Sequence, residues 1–247
     1  MKEVLRWELR SPLNLAMTSG GAVLVGLVMK RYYMTWSTSS HGAPSGVEML
    51  GSVFRDAFTG DVYLLLALLV PFLVTLAVRL ERDEGVALSV YSLPVSRVRI
   101  LLAKFLAAFL LLLIFVFSVH LLVFTLHFAA TPEAVAEVLK VQTIPMAFFY
   151  LSALLFMVSV AAVVAIASPN TYISIFGGFV LLYLPEFVGA DWFWLLKWRD
   201  ALTNYKWATI SLSMDPVFGR EFLRVTLLPA LILVAIYLII GNWRDVR

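Results

Sequence analysis

Long uncharged runs alternate with short charged stretches along the chain. Leu13–Met29, Val62–Val78, Phe105–Phe128, Val141–Pro185 and Val225–Trp243 hold no charged residue. A helix crosses the hydrocarbon of a bilayer with about 20 residues at ~1.5 Å each. Val141–Pro185, at 45 residues, is too long for one crossing. Ser168-Pro169-Asn170 divides it, because proline removes a donor and pushes its predecessor out of the helical region. The predicted spans are therefore about 13–33, 60–79, 98–128, 144–167, 171–188 and 222–243. The fold class they predict is an all-α polytopic membrane protein with six transmembrane helices in a single domain, 1–247. The first two runs are short, 17 residues each, and snorkelling of Lys30 and Arg79 would stretch them. Leu13–Met29 is too long for a signal-peptide core and offers no small-x-small cleavage site, so it reads as an uncleaved span.

The polar segments add further elements. In 1–12, Lys2, Arg6 and Arg10 recur every four residues beside Val4, Leu5, Trp7 and Leu9, the pattern of an N-terminal interfacial helix on anionic headgroups. Residues 30–60 read as an outer loop and a short helix near 47–58, without visible chemistry. In 79–97, dense charge ends the second span, Gly85 permits a turn, and Val86–Leu93 is about two helical turns long. Pro94 stops that piece, and Ser96 is placed to cap the third span. So short a helix is not stable alone and must pack on the span bundle or on a soluble partner. The outer segment 189–221 holds Trp192, Trp194, Trp198 and Trp207, which predicts outer-face helices at the membrane boundary. Asp215-Pro216 reads as a helix start running into the last span, with a kink at Pro229.

Composition narrows the function. The chain is 62% hydrophobic and 14% charged, against about 45–50% and ~25% in soluble domains. A soluble globule of this size cannot hide that much apolar surface. A net charge of +3 makes no phosphate-tracking surface, so nucleic acid is not an expected partner. Cysteine is absent, which removes disulfides and thiolate chemistry. No H-E-x-x-H, nucleophilic serine motif or pair of intramembrane carboxylates is present, so no catalytic or metal residue is assigned. An intramembrane enzyme is the alternative this argues against. A secondary transporter or membrane anchor is the other, and the nearly charge-free spans without a clear repeat argue against ion coupling. No phosphate loop is present either, so any ATP-driven power comes from another chain.

Ten basic residues fall on the N-terminal side of the membrane and nine on the other. Three precede the first span, two follow it, and 79–104 carries five, which places both termini in the cytoplasm. Several residues invite a role. Glu186 follows Pro185 at the outer end of the fifth span, where an ionisable group is a pathway candidate or a solvated boundary residue. His120 and His127 lie about 10.5 Å apart along one helix face, too far to share a metal. Gly20-Gly21, Gly177-Gly178 and Ala161, Ala165 and Ser168 permit close helix approach, and Pro71 is a hinge or a fixed kink. Glu81, Asp83 and Glu84 can pair with Arg79, Arg82 and Arg97 internally or across to a partner, solvated contact with lipid headgroups being the commoner role for any one such charge.

Glu81-Arg82-Asp83-Glu84-Gly85, Ser92-Leu93-Pro94-Val95-Ser96-Arg97 and Ile100-Leu101-Leu102-Ala103-Lys104-Phe105-Leu106-Ala107 together resemble the signature of ABC type-2 permeases. The six-span layout, the basic N-terminus and the aromatic outer segment agree with it. Val86-Ala87 departs from the family's usual Thr or acidic residue after the glycine. The resemblance implies the membrane half of an ATP-driven exporter in the cell membrane. It implies two permease subunits, as two copies or two related chains, meeting through the first and fifth spans. It also implies two separate ABC ATPase subunits, which would bind the ATP and Mg that this chain does not. Each ATPase would dock on a cytoplasmic coupling helix near Glu84–Leu93, with Arg79, Glu81, Arg82, Asp83, Glu84, Gly85, Tyr91, Leu93, Pro94 and Arg97 as its coupling residues. The pathway would run along the second and fifth spans, with Glu186, Pro71, Gly177 and Gly178 as candidates, for a hydrophobic or amphipathic substrate or a polymer or peptide.

Overall fold

A computed structural model describes residues 19–23, 25–27, 29–30, 61–83, 85, 95–127, 132–183 and 227–243, all of which that form regular structure being helical. We label the helical residues 19–23, 25–27 and 29–30 as α1, Asp61–Asp83 as α2, Arg97–His127 as α3, Pro132–Ala167 as α4, Thr171–Tyr183 as α5 and Leu228–Trp243 as α6. The predicted interfacial helix 1–12, the helix near 47–58, the piece Val86–Leu93 and the outer segment 189–221 lie outside the described residues.

Local chemistry sets the helix ends. α2 does not stop where its apolar run stops. It continues through Arg79-Leu80-Glu81-Arg82-Asp83, mostly good helix formers, so the segment expected to open as a loop at Arg79 is helical for its first five residues. The chain turns at Gly85, whose φ of 75° lies in the left-handed region where a side chain would be strained. Ser96 stands at the cap of α3, its carbonyl accepting from the N–H groups of Arg99 (2.9 Å) and Ile100 (3.2 Å). α4 begins at Pro132 rather than near 144. The uncharged-run criterion missed its first turns because they carry Glu133, Glu137 and Lys140, yet Pro132 is suited to a first helical position and the residues after it favour helix. Pro169 breaks the next helix away as expected. Asn170 caps α5 twice, its Oδ1 accepting from Ile173 N–H (2.8 Å) and its carbonyl from Ser174 N–H (3.1 Å). Pro229 is the second residue of α6, and Leu227 just before it is in a π-helical turn, while the upstream residues through which the helix was expected to arrive lie outside the described residues.

α4 is the hub, packing on α2, α3, α5 and α6, while α2 packs on α3 and α5 and α6 on α3. Tyr150, Leu154, Phe156, Met157 and Ala161 of α4 are buried with Leu66, Val70, Leu73 and Val74 of α2. The Tyr237 hydroxyl of α6 donates to the Leu101 carbonyl of α3 at 3.1 Å, and its ring lies 6.1 Å from that of Phe105. Apolar side chains also cover the outside: Phe72, Ile114, Phe176, Leu231 and Ile239 are exposed. In water such a surface would drive aggregation, and in hydrocarbon it matches its surroundings. Among the described residues, Arg97–Ser118 and Tyr150–Ala167 are long and apolar enough to cross a membrane, giving an all-α membrane protein.

Glycines sit where helices touch. A Cβ on Gly20 would lie 2.7 Å from the Leu69 side chain and one on Gly21 would lie 2.6 Å from the Phe115 ring. This pair, expected to permit close helix approach, packs on α2 and α3 of its own chain. A Cβ on Gly178 would meet Pro71 Cβ at 2.8 Å. The proline ring cannot rotate away, so Gly178→Ala is expected to lower the melting temperature of the detergent-purified protein. Gly26→Ala is the control: among the described residues nothing lies within 4 Å of such a Cβ, and the substitution should be neutral or stabilise by up to ~1 kcal/mol through helix propensity.

Candidate functional site

The break between α4 and α5 creates an electrostatic problem, and α2 answers it. The last carbonyls of a helix have no intrahelical donors, and the helix end carries partial negative charge. Pro169 worsens this, since its missing N–H would have served the carbonyl of Ala165. Ser168 returns its N–H (2.9 Å) and its hydroxyl (2.6 Å) to Val164. Arg79 supplies the rest. Its Nη1 donates to the carbonyls of Ala165 (3.3 Å) and Ser168, and its Nη2 to that of Pro169. The guanidinium is 3% exposed, so it is enclosed by protein rather than snorkelling outward as the short apolar run had suggested.

Asp83 sits one turn further on and does the opposite job at the start of α5. Its carboxylate accepts from the Thr171 N–H (2.9 Å) and the Thr171 hydroxyl, and pairs with Arg79 Nε at 3.2 Å. An anion at a helix N-terminus and a cation at a helix C-terminus are each the favoured sign. One Arg–Asp pair on α2 thus caps both sides of the α4–α5 turn. Partial burial works to raise the Asp83 pKa, but the Thr171 hydrogen bonds and the Arg79 charge outweigh it and hold the carboxyl below its ordinary 3.8.

The same stripe of α2 continues toward α5. Thr75 and Ser174, both buried, share a hydroxyl hydrogen bond of 2.7 Å, and Pro71 rests on Gly178. Beside it, Lys104 of α3 is 1% exposed and its Nζ donates to the Ala77 carbonyl at 3.0 Å. An ammonium at that depth has to find acceptors, and the end of α2 provides one. The buried polar groups Thr75, Arg79, Lys104, Ser168 and Ser174 therefore gather where α2, α3, α4 and α5 converge.

Of the expected coupling residues, Arg79 and Asp83 are tied into the chain's own turn, so the internal pairing is the one they make. Arg97 stands partly exposed at the start of α3, and Gly85 is exposed at the exit from α2. Glu81 and Arg82 lie on the last turn of α2. The side chains of Glu81, Arg82, His120 and His127 are outside the description, as are Glu84, Tyr91, Leu93, Pro94 and Glu186 altogether. Of the pathway candidates, Pro71 and Gly178 close on one another as a helix contact, and Gly177 is partly exposed with its α-carbon facing Val164. Thr75, Lys104, Thr171 and Ser174 were missed as site residues. The signal for Lys104 was present, a lone cation inside an apolar helix; Thr75 and Ser174 gave none, being ordinary small polar residues in apolar runs.

Two outcomes follow for the Arg–Asp pair. Arg79→Met leaves buried carbonyls without donors and is expected to cost about 1–3 kcal/mol for each acceptor orphaned, read by thermal or denaturant unfolding in detergent. A carboxyl whose folded pKa is lowered stabilises fully above the unfolded value of 3.8 and loses that stabilisation as pH falls through the folded one. Melting temperature should therefore drop on acidification below 3.8, and Asp83→Asn should flatten that part of the profile while lowering stability at neutral pH.

No curated protein matches the chain. A family model described as ABC-2 family transporter protein matches residues 10–185, which contain α1 to α5 and the whole charged end of α2. A membrane-embedded helical bundle with a charge-capped break beside the Glu-Arg-Asp-Glu-Gly motif, matched over most of its length by that model, belongs to the ABC-2 family of transporter proteins.

Proposed function

We propose that this ABC-2 permease is the membrane subunit of an exporter driven by ATP hydrolysis in separate ATPase subunits. It moves a hydrophobic or amphipathic substrate, or a polymer or peptide, out across the cell membrane, with both termini in the cytoplasm. The observation that carries the reading is the family match across residues 10–185. The form of α2 supports it: an apolar helix ending in Arg79-Leu80-Glu81-Arg82-Asp83 and a left-handed turn at Gly85 delivers the chain to the segment we assign as the coupling helix.

The mechanism is mechanical. Two ATPases bind ATP and Mg and close on one another, and each carries with it a coupling helix near Glu84–Leu93 that is seated in its surface. Glu84, Tyr91, Leu93 and Pro94 make the contact, with Glu81, Arg82 and Arg97 as charged flanks. α2 and α3 follow because they are the two ends of the coupling segment. Two permease copies, or two related chains, enclose the pathway, and Glu186 and Gly177 stand as its candidate residues on the fifth span.

Co-expression with a phosphate-loop ATPase encoded beside this chain tests the reading. The two proteins are expected to co-purify, and the permease in liposomes should raise the ATPase rate several-fold. Leu93→Asp should abolish both effects while leaving the permease folded. Failure of the unmodified chain to bind such an ATPase overturns the proposal. Glu186→Gln, at equal protein level, is expected to reduce export with co-purification intact; unchanged export removes Glu186 from the pathway.

A further inference from the structure

We infer that the Arg79–Asp83 pair makes α2 and α5 one moving part, so that force entering at the end of α2 reaches α5 across space rather than along the chain. The inference rests on the coupling role proposed for the segment after Gly85. α3 is joined to that segment covalently, but α5 is separated from it by all of α3 and α4. Its link is lateral. Asp83 and Arg79 grip both sides of the turn at 168–171. Thr75 holds Ser174, and Pro71 abuts Gly178.

The ties lie every four residues along α2, at 71, 75, 79 and 83, one face of the helix over about 18 Å. On α5 they run the other way, from 171 through 174 to 178, so the helices are antiparallel and in fixed register. Each tie resists a different displacement. A slide by one helical turn, about 5.4 Å, breaks the Thr75–Ser174 bond. Separation at the charged end strands a buried guanidinium and the carbonyls of Ala165, Ser168 and Pro169 in apolar surroundings. Rotation of α5 drives the backbone at Gly178 away from its fit against the proline ring. Arg79 is thus a positioning residue: it acts through the turn, and the ATPase need not touch it.

The absence of cysteine makes the seam directly testable. Thr75→Cys with Ser174→Cys replaces hydroxyls 2.7 Å apart, within reach of a disulfide. In the chain alone, oxidation should cross-link this pair efficiently. Adding Asp83→Asn, or separately Thr171→Val, should cut the cross-linking rate several-fold if the latch holds the seam; an unchanged rate overturns that. In the complex with its ATPase, the rate should be equal without nucleotide and with ATP trapped by vanadate. The cross-linked permease should stimulate ATP hydrolysis as well as the reduced one does. A rate that falls several-fold in the trapped state, or stimulation lost on oxidation and regained on reduction, shows that α2 and α5 part during the cycle and refutes the inference. Failure of the ATPase reading has a different mark: the reduced, unmodified chain would bind no ATPase, while the arms on the chain alone would still decide whether the latch holds the seam.

Discussion

Backbone carbonyls without donors are the governing constraint in this bundle. A continuous helix satisfies its own polar groups, and hydrocarbon supplies no water to a broken one. The chain breaks one nonetheless, at Ser168-Pro169-Asn170, and a side chain from another helix meets the exposed oxygens there. The position of Arg79 fixes where α2 lies along α4, and the acid one turn later fixes where α5 begins. The remaining contacts between these three helices, hydroxyl to hydroxyl and proline to glycine, fit a register already decided by charge.

For an ABC-2 transporter this arrangement has a bearing on how motion spreads. The charged end of α2 does not hang free as a docking tail. Arg79 is buried against the end of α4, and Asp83, though exposed, is bonded to the start of α5. Lys104 extends the same logic to α3, tying its first turns to the carbonyl of Ala77 just before Arg79.

The helices themselves were legible because uncharged length and proline position are strong local signals. Arg97–His127 lies within one residue of the predicted span 98–128 at each end, and Pro169 divides α4 from α5. Charge was the misleading signal. It suggested that α2 ends at Arg79, yet Arg, Leu and Glu continue a helix well and a buried acceptor set awaited the guanidinium. It also hid the first turns of α4, where Glu133, Glu137 and Lys140 are ordinary helix residues. The Arg79–Asp83 spacing did foreshadow an ion pair. Arginine preceding its acid is the weaker order for a pair within one helix, and the two groups spend much of their bonding capacity on the neighbouring turn instead. Long-range partners such as Thr75 and Ser174 leave no trace in local pattern, because only the fold brings positions 99 residues apart together.

Laid out as a straight helix, the 36 residues of α4 would reach about 54 Å. The oily slab of a bilayer is ~30 Å deep, and even a steep lean of about 40° would leave such a helix standing taller than that. α4 thus holds more helix than one crossing needs, and its first turns carry Glu133, Glu137 and Lys140. The longest described helix of this bundle therefore carries its own charged extension, at the end away from the latch.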